Sequence, residues 1–139
     1  FGGNSNWRGP VWFPLNVLLI DALRVYASGA GISDTIEFPA GSGEEYPIAQ
    51  VADLLENRLI ALFETDEEGR RPGDPHDQGS GPLWSQHPFF CEYFDGDTGE
   101  GLGATHQTGW TALVANLICE QAERSLAAGE GSAGEEADA

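Results

Sequence analysis

Pro14-Leu-Asn-Val-Leu-Leu-Ile-Asp-Ala-Leu-Arg-Val-Tyr-Ala-Ser28 decides the fold class. Leu15, Leu18, Leu19, Ala22, Leu23 and Tyr26 recur at three and four residues, the spacing that lines one side of an α-helix. Pro14 suits the first turn, where its missing N–H costs nothing, and Gly29 suits the stop. The spacing predicts a helix over 14–28. Val17, Ile20 and Val25 fill much of the remaining circumference, so this helix is apolar on more than one side, as an internal helix of a larger α-protein would be.

Two further stretches repeat the period. After Pro47, Ile48, Val51, Leu54, Leu55, Arg58, Leu59, Leu62 and Phe63 predict a helix over 47–64, with Asp53, Glu56 and Asn57 on its wet face. From Thr108, Trp110, Leu113, Val114, Leu117, Ile118 and Gln121 predict a third, running to Leu126. Between them, 29–45 and 65–83 are rich in glycine, proline and acid, which marks long surface connections. Residues 87–94 hold strand-forming aromatics and lead into the turn chemistry of 95–103. The fold expected is all-α, about three helices joined by long Gly/Pro-rich loops, over 1–126. The tail 127–139 is Gly, Ala, Ser and acid with little else, and is expected to be disordered.

Composition narrows the function. The 139 residues carry 6 basic against 23 acidic side chains, a net charge of −17. All the cations are arginines, so a nucleic-acid backbone meets no cationic surface. A hydrophobic fraction of 40% with four tryptophans predicts a packed core. The acid excess without lysine fits either a hydrated carboxylate surface in a high-salt cytoplasm or a biased composition with an acidic tail. No run reaches the roughly 18 apolar residues of a membrane span, and no basic-then-apolar signal opens the chain. Cys91 and Cys119 form no CxxC pair and have no metal-ligand spacing with His76, His87 or His106. Each sits in an apolar stretch, so two reduced, buried thiols in a cytoplasmic protein are expected, with no metal or other cofactor.

Candidate chemistry lies where aromatic, amide and acidic groups crowd onto glycine-supported loops, at 4–12, 91–97 and 103–110. Indole faces stack on the C–H faces of sugar rings, and Arg and Asn satisfy paired hydroxyls. Trp7, Arg8, Trp12 and Trp110 fit that role, though Trp12 and Trp110 could equally begin helices and pack inward. Glu92 is the carboxylate set among bulky apolar neighbours, which makes it the candidate for proton transfer; an outward-facing residue on an edge is the alternative. His106 could bind a substrate hydroxyl. Asp95, Asp97 and Glu100 fail the calcium-loop pattern, because the glycine comes one place early and His106 takes the twelfth position, so an ordinary acidic turn is expected. No nucleophile elbow and no phosphate-cradling glycine pattern is present.

Asn4-Ser-Asn-Trp-Arg-Gly-Pro-Val-Trp-Phe-Pro-Leu-Asn16, taken with Phe90-Cys-Glu-Tyr-Phe and Gly99-Glu-Gly-Leu-Gly-Ala-Thr-His-Gln-Thr-Gly-Trp-Thr111, resembles glycoside hydrolase family 63 over residues 1–120. That family includes processing α-glucosidases and mannosylglycerate hydrolases. The resemblance implies a C-terminal fragment of an (α/α)6 toroid, in which paired helices form two rings and the loops at one end hold the sugar. It implies inversion, with an Asp as general acid and a Glu as general base. By motif match the base is Glu92, Trp7, Arg8 and Trp12 belong to the sugar-binding loop, and Trp110 opens an inner helix.

The family's acid lies in an upstream motif that this chain lacks. An inverting site needs two carboxyl groups about 6.5–9.5 Å apart, and one Glu can perform only the water-activating task. The expectation is therefore the C-terminal part of an α-glycosidase acting on α-glucosides or α-mannosides, inactive alone, its partner an oligosaccharide or small glycoside. A non-catalytic carbohydrate-binding or scaffold module is the alternative.

Overall fold

A computed structural model describes residues 9–29, 34–76 and 82–135. Helix α1 spans Phe13–Ala27 with proline in its first turn. Trp12 precedes it in an extended conformation (φ −113°, ψ 115°), and its carbonyl accepts from the Asn16 side chain at 2.9 Å. At the other end the Ser28 N–H donates to the Arg24 carbonyl and its hydroxyl to the Val25 carbonyl, closing orphan acceptors of the last turn.

The segment expected as a long surface connection contains a small hairpin. Strand β1 (Thr35–Glu37) pairs antiparallel with β2 (Glu45–Pro47), Ile36 opposite Tyr46. The turn between them includes a cis Phe38–Pro39 bond and positive φ at Gly41 and Gly43. Its strands are short and largely exposed, so no alternation of apolar and polar residues announces them.

Helix α2 follows at once over Ile48–Ala61 and packs along α1. A short helix α3 covers Pro82–Gln86. Strands β3 (Tyr93–Phe94) and β4 (Gly101–Leu102) pair antiparallel, and Val11 bridges Phe94 through two backbone bonds of 2.8 and 2.9 Å. The third expected helix is broken into α4 (Thr108–Thr111) and α5 (Leu113–Glu135). Helical backbone continues past the expected end at Leu126, through an alanine- and glutamate-bearing stretch that tolerates helix. The described residues are mostly helical, in line with an all-α class.

The core collects Phe13 and Ile20 of α1, Ala52, Leu59 and Ile60 of α2, Val114 and Leu117 of α5, and Cys91 and Phe94 of the intervening segment. Phe13 meets Phe94 at 5.5 Å and Phe63 at 5.9 Å between ring centroids. Gly101 is required here, because a Cβ would collide with the Cys91 sulfur and the Gly73 carbonyl.

The buried side of α1 is not the one picked out by its densest spacing. Phe13, Val17, Ile20 and Leu23 turn inward, whereas Leu15, Leu18 (65% exposed), Leu19, Val25 (73%) and Tyr26 lie open. Both sides of this helix are apolar and, among the described residues, only one is covered.

Glu56 corrects a second expectation. Placed by its spacing on the wet face of α2, it is fully buried. Its Oε2 accepts from Arg24 of α1 at 2.8 Å and from Arg124 of α5, so one carboxylate joins three helices. Arg24 also bonds Asp53 at 3.0 Å. Partial burial works against the Arg24 charge, but the hydrogen bonds and attraction of Glu56 and Asp53 outweigh it and raise its pKa.

Among the described residues, no helix is long and apolar enough to cross a membrane. The cysteines are both free, Cys91 buried and Cys119 exposed, so only the first behaves as the buried hydrophobe expected of both. Burial, helped by the negative charge of Asp74, pushes the Cys91 thiol up to about 11, which leaves it protonated at neutral pH.

Candidate functional site

Three sequence-distant stretches converge beside the start of α1. Backbone pairing of Val11 with Phe94 fixes the approach to Trp12, and the next residue toward the N-terminus of β3, Tyr93, lays its ring against the Trp12 indole at 4.7 Å and 31°. Trp110 of α4 meets the same indole edge-on, at 6.1 Å and 62°. These separations fall in the range where aromatic pairs attract beyond their buried area.

The segment carrying Glu92 is laced to the segment leading into α4. Gln107 donates its N–H to the Phe90 carbonyl at 2.7 Å, and the Thr111 hydroxyl bonds the Cys91 carbonyl. Glu92 donates its N–H to Ala104 at 2.8 Å, and its Oε2 accepts the Ala104 N–H at 3.1 Å. Glu92 is half-buried, between the fully buried Cys91 and the half-buried Tyr93. The Gln107 carbonyl in turn accepts the N–H groups of Trp110 and Thr111, at 3.0 and 2.8 Å, which starts α4.

Of the residues singled out from the sequence, Glu92, Trp12 and Trp110 therefore lie on one backbone framework. Trp12 is only 4% exposed, with Tyr93 and Trp110 both against its indole, so it packs inward behind those rings. His106 is exposed, sits at φ 64° and places its imidazole 5.6 Å from the Phe89 ring. A non-glycine residue in the left-handed region is uncommon and marks a constrained loop. Trp7 and Arg8 lie outside the described residues. Tyr93 was missed as a site residue. Its signal was adjacency to Glu92 in an aromatic run, but two-residue pairing decides which neighbour points toward Trp12.

The acidic turn is structural. Asp95 Oδ1 accepts the N–H groups of Asp97 and Thr98, both at 2.9 Å, and the Thr98 hydroxyl at 3.1 Å. Those bonds, Thr98 first and Asp97 next, hold the Asp95 pKa below the usual carboxylate value. Among the described residues, no group of three or more His, Cys, Asp and Glu side chains could hold a metal ion.

A half-buried carboxylate held by a backbone amide thus adjoins, in sequence, the ring that lies tilted against Trp12, and comparison with known proteins gives the class. Residues 1–111 match the family model of the mannosylglycerate hydrolase MGH1-like glycoside hydrolase domain. The chain belongs to this glycoside hydrolase family, which is related to family 63. It is 50% identical over 125 residues to an uncharacterized protein of Saccharomyces cerevisiae. It is 29% identical over 119 residues to the mannosyl-oligosaccharide glucosidase of the same yeast, and 27% identical over 118 residues to a probable mannosyl-oligosaccharide glucosidase of Schizosaccharomyces pombe. These alignments take in 85–86% of this chain but only 11% of each relative. No solved structure matches.

Proposed function

We propose that this chain supplies the general-base side of an inverting α-glycosidase site, with Glu92 activating the attacking water. The observation that supports it is the meeting of Glu92 with Tyr93, Trp12 and Trp110 on one framework, in a chain that belongs to a glycoside hydrolase family. The aromatic surface of Tyr93 and Trp110, backed by Trp12, would take the apolar face of the sugar, and His106, Trp7 and Arg8 its hydroxyls.

Inversion divides the work between two carboxyl groups. A general acid protonates the leaving oxygen, while the carboxylate of Glu92 takes a proton from water on the opposite face of the ring. The acid is an aspartate outside these 139 residues. We place the chain in the C-terminal part of an (α/α)6 toroid, where neighbouring helices would cover the open apolar side of α1 at Leu15, Leu18, Leu19 and Val25. The description of the family and the name of the yeast relative point to two substrate classes, mannosylglycerate and glucose-bearing mannosyl oligosaccharides.

In the full-length protein, Glu92→Gln keeps the length and shape of the side chain and removes the base. Binding of substrate, followed by calorimetry, should persist while turnover falls by at least about 100-fold. Near-normal turnover of that variant with both substrate classes would end this assignment.

A further inference from the structure

Ala104 and Glu92 are tied to each other twice. The Glu92 N–H donates to the Ala104 carbonyl at 2.8 Å, and the Ala104 N–H donates back to Glu92 Oε2 at 3.1 Å. Gly103 makes the second bond possible. It holds φ +76°, and a Cβ there would stand 2.7 Å from Glu92 Oε2, 2.7 Å from Tyr93 Cε1 and 2.9 Å from Glu92 Cβ. Backbone thus passes directly over the carboxylate and over the ring that stacks on Trp12.

Core packing does not ask for this approach. Gly103 and Ala104 are both exposed, so the close passage serves the groups beneath it. The saddle is also fixed at both ends, by the pairing of β3 with β4 on one side and by the Gln107-to-Phe90 bond on the other. A main-chain donor held in this way cannot swing aside as a side-chain donor would. Among the described residues, no hydrogen bond engages Glu92 Oε1.

Resting on the assignment of Glu92 as general base, we propose that the Gly103–Ala104 segment is the positioning element of that base. The Ala104 amide holds Oε2 and fixes the carboxylate plane, which leaves Oε1 to receive the proton of the attacking water. As the water oxygen bonds to the anomeric carbon, its proton passes to Oε1. The bond to the leaving oxygen breaks with its electron pair, and that oxygen takes a proton from the general acid. Glu92 then returns its proton to solvent. Neither Gly103 nor Ala104 touches the reacting atoms, and their effect runs through Glu92.

The test uses the full-length protein and whichever of mannosylglycerate or a glucosylated mannosyl oligosaccharide it hydrolyses. Gly103→Ala should lower kcat at least about tenfold, since its Cβ displaces the base, and raise KM by a smaller factor through the Tyr93 ring that it also meets. In the Glu92→Gln background the same substitution should cause no further loss of kcat, because the base through which it acts on turnover is already gone. A general structural lesion would multiply through both backgrounds, and that result overturns the proposal, as does full turnover of Gly103→Ala alone.

Amide exchange supplies a readout that needs neither activity nor the folding of Gly103→Ala. In Glu92→Ala the Ala104 amide should exchange at least about tenfold faster than in the wild type, while the residue-92 amide, bonded to the Ala104 carbonyl, keeps its protection. Unchanged exchange at Ala104 overturns the proposal. Full turnover of Glu92→Gln removes the base assignment and this proposal with it. Loss of turnover in Glu92→Gln with none in Gly103→Ala removes this proposal and leaves the base assignment standing.

Discussion

Replacing Glu56 with Gln should destabilise the protein more than any single change on its solvated surface. Glu56 Oε2 lies 2.8 Å from the Arg24 guanidinium, which at an effective dielectric of about 20 corresponds to roughly 6 kcal/mol of gross attraction, with Arg124 adding a second contact. Most of that gross value offsets the cost of taking the carboxylate out of water. The amide of Gln keeps the volume but presents two arginines with no charge between them. Removing one member of a buried pair costs about 3–5 kcal/mol. Arg24 retains Asp53 at 3.0 Å and the Arg124 side chain is 39% exposed, so solvent and Asp53 take over part of the load. The expected loss is about 2–4 kcal/mol. Equilibrium urea unfolding followed by tryptophan fluorescence reads it. Asp53→Asn is the internal control. That carboxylate bonds the same arginine but its side chain is 56% exposed, so it should cost no more than about 1 kcal/mol. A triple change of Arg24 and Arg124 to Met and Glu56 to Leu should recover most of the lost stability, because an apolar set avoids the desolvation altogether. Equal, small effects of Glu56→Gln and Asp53→Asn would refute the burial of Glu56 and the three-helix junction with it.

The Asp95 turn should make stability depend on acid. Its folded pKa is depressed, so its contribution is complete above the unfolded aspartate value of about 3.9 and is lost as pH falls through the lower folded value. Asp95→Asn should therefore lower the thermal midpoint at pH 7 and approach the wild type in strong acid; a difference that persists unchanged at the lowest pH would contradict it. Brief treatment of the native protein with iodoacetamide at pH 8 should modify Cys119 and spare Cys91, whose thiol is buried and titrates near 11. Equal labelling by mass spectrometry would place Cys91 at the surface. Glu92→Gln, with retained binding and turnover reduced by at least about 100-fold, remains the decisive check on the site.

Local order was legible in the chain. Pro14 and the three-and-four spacing after it give α1 within one residue of its observed bounds, because first-turn proline and helical periodicity act over a few neighbours. The aromatic run ending at Phe94 likewise announces a short extended segment and the glycines after it a loop, whereas the pairing of β3 with β4 across that loop came only from the structure. A motif resemblance found the family and drew attention to Glu92, Trp12 and Trp110. What a helix side touches is a different matter. Periodicity shows that α1 is apolar on two sides, and only packing against α2 and α5 selects Phe13, Val17 and Ile20 as the covered one.

Glu56 shows the limit most clearly. On its own helix it reads as a solvated carboxylate, and its burial depends on arginines 32 residues before it and 68 after it, distances over which no local pattern speaks. The same holds at the site. Sequence alone sets out the glutamate, the rings and the glycines in separate stretches, whereas the Val11–Phe94 bridge and the Ala104 amide decide which of them meet and which carboxylate oxygen is held. Helix propensity and turn chemistry are short-ranged and survive in a string of letters. Desolvation, ring stacking and the sharing of one carboxylate by distant cations exist only after the chain has closed on itself.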